Sequence, residues 1–261
     1  MSLKNLFRDL TPNGILEYRR AHNLCRKYEL KPRAGISTRT AARAARLSGA
    51  TLFRPEWLPG LAKIIDVGAN VGQWAEFWQS VNRPEQILSI EPNPESFRKL
   101  LEKSAKQQGW TCVNLAAGDQ PGTLSFNVPS DSTSASLLGV KAKEGWEDPD
   151  CVANPKRISV NVERVDELAS DWPEISLLKV DAEGYECHVL RGAQGTLRRT
   201  SFILVELTWF ERFESGATAW TIHDFLSQND FVLWGVGDST TYNGRSVFCD
   251  ALFVNKRVLE K

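Results

Sequence analysis

The run Asp66-Val-Gly68-Ala-Asn70-Val-Gly72 follows a short apolar segment and carries two glycines with three residues between them. Such a turn at the end of a buried strand lets a ligand approach the backbone, and helix N–H groups just beyond it can receive an anion or carboxylate. The spacing is G-x-x-x-G, not the G-x-G-x-x-G of dinucleotide binders. It argues against NAD and suits a ligand with no pyrophosphate, such as S-adenosylmethionine. About 25 residues later stands Glu91, in Glu91-Pro92-Asn93-Pro94. A carboxylate there can accept both hydrogen bonds of a ribose diol. Ala117-Gly118-Asp119 offers a small side chain to an adenine face and a carboxylate near its amino group. Asp66, Gly68, Asn70, Gly72, Glu91, Asn93, Ala117 and Asp119 are therefore the expected cofactor-binding residues.

A second group of carboxylates suggests reaction chemistry. Asp181 and Glu183 follow the apolar run Ile175–Val180, and two positions apart in an extended chain they share one face. Asp181 is expected to face a cationic cofactor or the acceptor. Glu183 is expected to orient or deprotonate an acceptor hydroxyl, whose high pKa rewards a base. The bland alternative is that both cap the next helix and hold Lys179 or an arginine. Glu206 interrupts the apolar stretch Ile203–Leu207, so it needs a partner. An arginine is preferred for that role over a Mg²⁺ ion shared with Asp181, and no metal ligand is assigned. The histidines, His22, His188 and His223, suggest no clear role.

These residues need a frame. Lys63–Val67, Ile87–Ile90, Thr111–Ala117, Ile175–Val180, Phe202–Leu207, Phe231–Val236 and Val247–Val254 read as strands. Helices are expected over Gln73–Ser80, Pro94–Gln108, Glu186–Arg198 and Thr218–Gln228, between successive strands. Strands alternating with helices argue for a mostly parallel, doubly wound sheet. The rhythm breaks between the third and fourth strands, where Thr123–Val128 and Ile158–Val162 alternate like a half-buried hairpin. The residues between them are rich in Ser, Asp, Pro and Gly, and long loops in compact domains are more often functional than idle. Within this loop, Ser130–Ser136 suggests a lid over the acceptor and Trp146 a ring-stacking or anchoring side chain. Trp74, Trp78, Trp209 and Trp234 are expected to fill space between sheet and helices.

The chain of 261 residues balances 32 basic against 32 acidic side chains, but unevenly: residues 1–55 carry a net +9 and the rest a net −9. Residues 1–58 read as a basic helical extension, with helices near 12–30 and 37–48, and 59–261 as the main domain. Five scattered cysteines form no C-x-x-C pair, so neither a zinc site nor a disulfide framework is indicated. With no apolar h-region at the start and no run long enough to span a bilayer, a cytoplasmic protein is expected.

The glycine turn, Glu-Pro-Asn-Pro, Ala117-Gly118-Asp119, Val165-Asp166-Glu167-Leu168, the Leu178–Glu186 block with its Lys-x-Asp-x-Glu-Gly-x-Glu pattern, and Val189–Ala193 together resemble the FkbM-type methyltransferases. The resemblance covers roughly residues 60–255, and the Lys179–Glu186 block is its most specific part. It implies a class I, Rossmann-like α/β fold with an antiparallel last strand. It also implies S-adenosylmethionine as cofactor and an oxygen acceptor on a sugar or secondary metabolite. The basic segment lies outside it. That segment raises RNA methylation as an alternative, although it lacks interleaved aromatics and no base-methylating block is visible. A solvated helix face lying on the acidic domain is the preferred account of the arginines, and the N-terminal helices are also able to pack against a second copy. A silent methyltransferase-fold binding protein is the third reading, against which stand the intact glycines, Glu91 and Asp181.

Overall fold

The computed structural model describes residues 49–129, 135–139 and 155–260. The two proposed N-terminal helices, Ser130–Ser134 and Trp146 lie outside the described residues. The described chain opens with two short 3-10 turns, Ala50–Leu52 and Pro55–Gly60, the second carrying the Leu58-Pro59-Gly60 turn.

The main sheet contains β1 (Lys63–Val67), β2 (Gln86–Ile90), β3 (Trp110–Val113), β7 (Ile175–Val180), β8 (Thr200–Thr208), β9 (Phe231–Val236), β10 (Thr240–Tyr242) and β11 (Arg245–Asn255). Its order is β10-β11-β8-β7-β1-β2-β3, with β9 also paired to β11. The pairs from β3 across to β8 are parallel, whereas β11 runs antiparallel to both β8 and β9. This is the expected class I methyltransferase sheet, mostly parallel with an antiparallel last strand. A second sheet joins β4 (Ala116–Ala117), β5 (Gly122–Val128) and β6 (Lys156–Glu163). Its antiparallel β5–β6 pair is the hairpin-like insertion.

Helices fill both faces. Among the described residues they are α1 (Gln73–Val81), α2 (Pro94–Ser104), α3 (Val165–Leu168), α4 (Glu186–Arg191), α5 (Gln194–Leu197), α6 (Ala219–Gln228) and α7 (Lys256–Leu259). On one face α1 buries Trp74, Ala75 and Trp78, and Phe53 meets Trp78 edge-on at 5.6 Å. On the other face Val189, Leu190, Ile222 and Leu226, from α4 and α6, pack over Ile203 and Val205. Asn93 caps α2 by accepting the Glu95 N–H, with Pro94 in the first turn. Thr218 and Thr221 close a capping box on α6.

Several boundaries differ from the sequence expectation for identifiable reasons. The run 111–117 is two strands in two sheets. Between them the Asn114 amide donates to the carbonyls of Glu91 and Pro92 and turns the chain out of the main sheet. The helix expected over 186–198 breaks at Gly192, where an added Cβ would stand 1.9 Å from the Gly118 carbonyl oxygen. The helix from Pro94 stops at Ser104 rather than near Gln108. Trp74 and Trp78 are buried and Trp209 is half-buried, but Trp234 is exposed, lying under the Arg54 guanidinium at 4.4 Å and against Trp57. Trp234 sits on a strand near the sheet edge and does not fill the core. No helix among the described residues is long and apolar enough to cross a membrane.

Candidate active site

The C-terminal ends of β1, β2 and β7 meet at a cavity of about 430 Å³, where open α/β sheets bind ligands. Gly68, Asn70, Glu91, Ala117, Asp181 and Glu183 line it, as do Trp74, Lys179, Tyr185 and Asp250.

At one end stands Glu91. Its Oε2 accepts the Asn70 N–H at 2.8 Å and its Oε1 the Asn93 N–H at 2.7 Å. Each oxygen keeps a lone pair for another donor. Burial pushes its pKa up to about 7 in spite of those two backbone bonds. The glycines beside it serve the chain's own packing. Gly68 has φ 74°, and a Cβ on it would lie 1.8 Å from the Asp181 carbonyl oxygen. Gly72 has φ 79°, and a Cβ there would meet Leu100 at 2.7 Å. Close approach of β1 to β7 and of the turn to α2 thus demands glycine before any ligand arrives.

Lys179 is buried on β7. Its ammonium contacts Asp66 Oδ1 at 3.3 Å, Asp181 Oδ2 at 3.2 Å and the Gly68 carbonyl at 3.1 Å. Burial works against its charge, but Asp181 and Asp66 outweigh that and hold its pKa above the ordinary lysine value. Burial also raises Asp66 from its ordinary value, against the pull of Lys179. Asp66 is thus a wholly buried anchor behind the cavity wall. Gly72 and Asn93 likewise support the wall without lining it.

Beyond Asp181 the chain leaves strand geometry. β7 ends at Val180, and Glu183 adopts φ 48°, so Asp181 and Glu183 do not share the face of an extended strand. The turn is held from three sides. The Ser136 hydroxyl donates to the Glu183 carbonyl at 2.7 Å, the Glu186 carboxylate accepts the Ala182 and Gly184 N–H groups, and the Ala217 N–H donates to the Gly184 carbonyl. Ser136 is buried, so this end of the proposed lid is a fixed anchor. The turn still brings carboxylate oxygens of Asp181, Glu183 and Glu206 within 4.8 Å of one another, a spacing at which hard divalent cations are held.

Arg212 is the arginine whose charge acts on Glu206. It also approaches Glu183, at 3.4 Å, because it follows β8 in a loop that folds back over the 181–185 turn. Burial lifts Glu183 to about 8 against the pull of Arg212. Burial and the charges of Glu183 and Asp181 push Glu206 well above its ordinary value, against the pull of Arg212. Asp119 turns to His188, whose Nδ1 lies 3.1 Å away while its ring stacks on Tyr185. The structure therefore places Asp119 off the cavity wall.

Ser136 as an anchor, Arg212 and Asp250 carry no local signal in the sequence. Lys179 entered only as a possible partner, yet a lysine inside a buried strand carries its own signal, since such a charge needs counter-charges.

The FkbM methyltransferase domain model matches residues 66–233. The chain belongs to the FkbM methyltransferase family. The FkbM chain is 26% identical over 184 residues to the 2-O-methyltransferase NoeI of Sinorhizobium fredii, a match covering 65% of the chain and 72% of the relative. It is 28% identical to the hexuronic acid methyltransferase AglP of Haloferax volcanii, over 54% of each. Matched solved structures include the magnesium protoporphyrin IX methyltransferase ChlM of Synechocystis PCC 6803 with bound SAM (10% identity, 98% of both chains, TM-score 0.46). Fibrillarin of Aeropyrum pernix is another (15% identity, 80% of this chain and 73% of that one, TM-score 0.46).

The FkbM chain is an S-adenosylmethionine-dependent methyltransferase, and its cavity residues fit that cofactor. The buried Glu91 carboxylate keeps two lone pairs for a ribose diol. Pro92, Ala117 and Phe126 give an apolar wall suited to an adenine. Asp181 would supply negative charge for a sulfonium.

Proposed function

We propose that the chain transfers a methyl group to a hydroxyl of a sugar. The observation that carries this reading is that one cavity joins the Glu91 pole to the Asp181 and Glu183 carboxylates. One end suits the donor's ribose and the other suits an alcohol that must be held and deprotonated. Two relatives named for O-methylation and for a hexuronic acid support a sugar acceptor.

S-adenosylmethionine, when bound, supplies a methyl already activated by a positively charged sulfur. The chain then has to position the acceptor and manage one proton. Asp181, fixed by Lys179, offers its charge toward the donor. Glu183, raised to about 8 by burial, is matched to take a hydroxyl proton near neutral pH. Arg212 balances the charge of Glu183 until that proton arrives and leaves the carboxyl neutral. The three-sided hold on the turn keeps this carboxylate in place.

The test uses tritiated S-adenosylmethionine with the methyl glycosides of glucose, fucose and glucuronic acid, and bulk RNA beside them. Label in a glycoside, identified as a methyl ether by mass spectrometry, is the expected result. Label in RNA alone, or in no acceptor, would overturn the sugar reading.

A further inference from the structure

Asp250 lies on β11, opposite Glu206 of β8 in the antiparallel register. Directly paired residues of an antiparallel ladder share a sheet face. Leu252 and Val254 on that face pack with Leu204, Phe202 and Trp78 in one apolar cluster. Asp250 is the next position toward the site edge, where the apolar face ends, and it borders the cavity. Its neighbours Cys249 and Ala251 point to the opposite, fully buried face.

Among the carboxylates that line the cavity, Asp250 stands apart. Asp66, Asp181 and Glu183 hold ion pairs, and Glu91 and Glu186 accept backbone N–H groups. The Asp250 side chain makes no hydrogen bond or ion pair among the described residues. Its backbone oxygen accepts the Gly237 N–H at 2.7 Å. Lys179 and Asp181 act on the carboxylate through their charge alone. A half-buried carboxylate facing a cavity without a donor is costly unless a ligand or water supplies one. Two adjacent sugar hydroxyls present two O–H donors to its two oxygens.

We propose that Asp250 is a specificity-determining acceptor contact, accepting a hydrogen bond from a sugar hydroxyl beside the one methylated and thereby selecting which oxygen meets the donor. The inference rests on the sugar reading above and deepens it. It requires an acceptor with neighbouring hydroxyls and assigns their recognition to a strand outside the 181–186 block.

The experiment combines Asp250→Asn with the best-accepted methyl glycoside of the panel and its monodeoxy analogues, each lacking one ring hydroxyl. Donor affinity, measured calorimetrically, is expected to stay within about twofold, since Asp250 lies away from the Glu91 pole. KM for the glycoside is expected to rise about 10- to 100-fold, as for loss of a hydrogen bond to a charged group. One deoxy analogue should show a similar loss on the wild type and no further loss on the variant, and the variant's product should carry methyl at more than one position. Additive losses for every analogue, with a single product, would overturn the inference and leave the sugar reading standing. Collapse of donor affinity in Asp250→Asn would also overturn it, by placing the carboxylate at the donor. A wild type that methylates no glycoside defeats the sugar reading, and the inference falls with it.

Discussion

Asp66 and Lys179 are register partners on the parallel strands β1 and β7, and their side chains meet at 3.3 Å inside the sheet. The same ammonium reaches Asp181 at 3.2 Å, so one buried cation joins the glycine turn to the reactive end of β7. Lys179→Met leaves a fully buried carboxylate unpaired, and removing one partner of such a pair typically costs about 3–5 kcal/mol. The double variant Asp66→Asn/Lys179→Met should recover much of that loss. Urea unfolding of the three proteins measures it, and equal destabilisation of the single and double variants would show that the pair is not what Lys179 holds.

Gly68→Ala is expected to damage the protein more than an ordinary surface-turn change. The methyl would stand 1.8 Å from the Asp181 carbonyl oxygen, on a residue with φ 74°. Backbone cannot yield as a flexible side chain can, so the β1–β7 approach must open. Soluble Gly68→Ala protein should melt well below the wild type and bind S-adenosylmethionine at least about tenfold more weakly, in line with the cost of a strained backbone. Near-normal melting and binding would show that the turn can rearrange.

Much of this site was legible in the sequence because its parts are local. The glycine turn, Glu91 and the Asp181–Glu183 block each follow an apolar run that reads as a buried strand, so the sheet alone converges them. What was not legible depends on long-range placement. Arg212 pairs with Glu183, and its charge reaches Glu206 too, through the path of the loop after β8. Ser136 meets Glu183 from an insertion 47 residues away in sequence. The split at Asn114 depends on carbonyls of the preceding β2 turn, and no propensity at positions 111–117 encodes that.

Ser136→Ala removes the donor to the Glu183 carbonyl and the acceptor of the Leu138 N–H, at 2.7 and 3.0 Å. Burial leaves both groups unpaired, at a cost of about 1–3 kcal/mol. Because the bond holds the backbone that carries Glu183, the larger effect should fall on turnover. A roughly tenfold drop in kcat is expected, equivalent to about 1.4 kcal/mol, with little change in donor affinity. Steady-state kinetics beside calorimetric titration separates the two. A variant that loses donor binding but keeps kcat would place Ser136 in the wrong role.

Glu91 gives a pH dependence with opposite signs for the empty and loaded protein. Burial raises its folded pKa to about 7 from an ordinary 4.5. Between those values the folded state holds a proton that the unfolded state has released, so stability falls as pH rises through this window and levels off above about 7. Donor binding follows the other sign, since ribose hydroxyls bond best to the ionised carboxylate. Lowering the pH from about 8 to about 5.5 should therefore raise the melting temperature of the ligand-free protein and weaken S-adenosylmethionine binding about tenfold. Glu91→Gln should flatten the binding response, bind the donor weakly throughout and remove only the Glu91 share of the melting response, since Glu183, Glu186 and Asp250 are raised into the same window. Calorimetric titration and thermal melts across this range provide the check, and a wild-type donor affinity that does not change with pH would remove Glu91 from the ribose site.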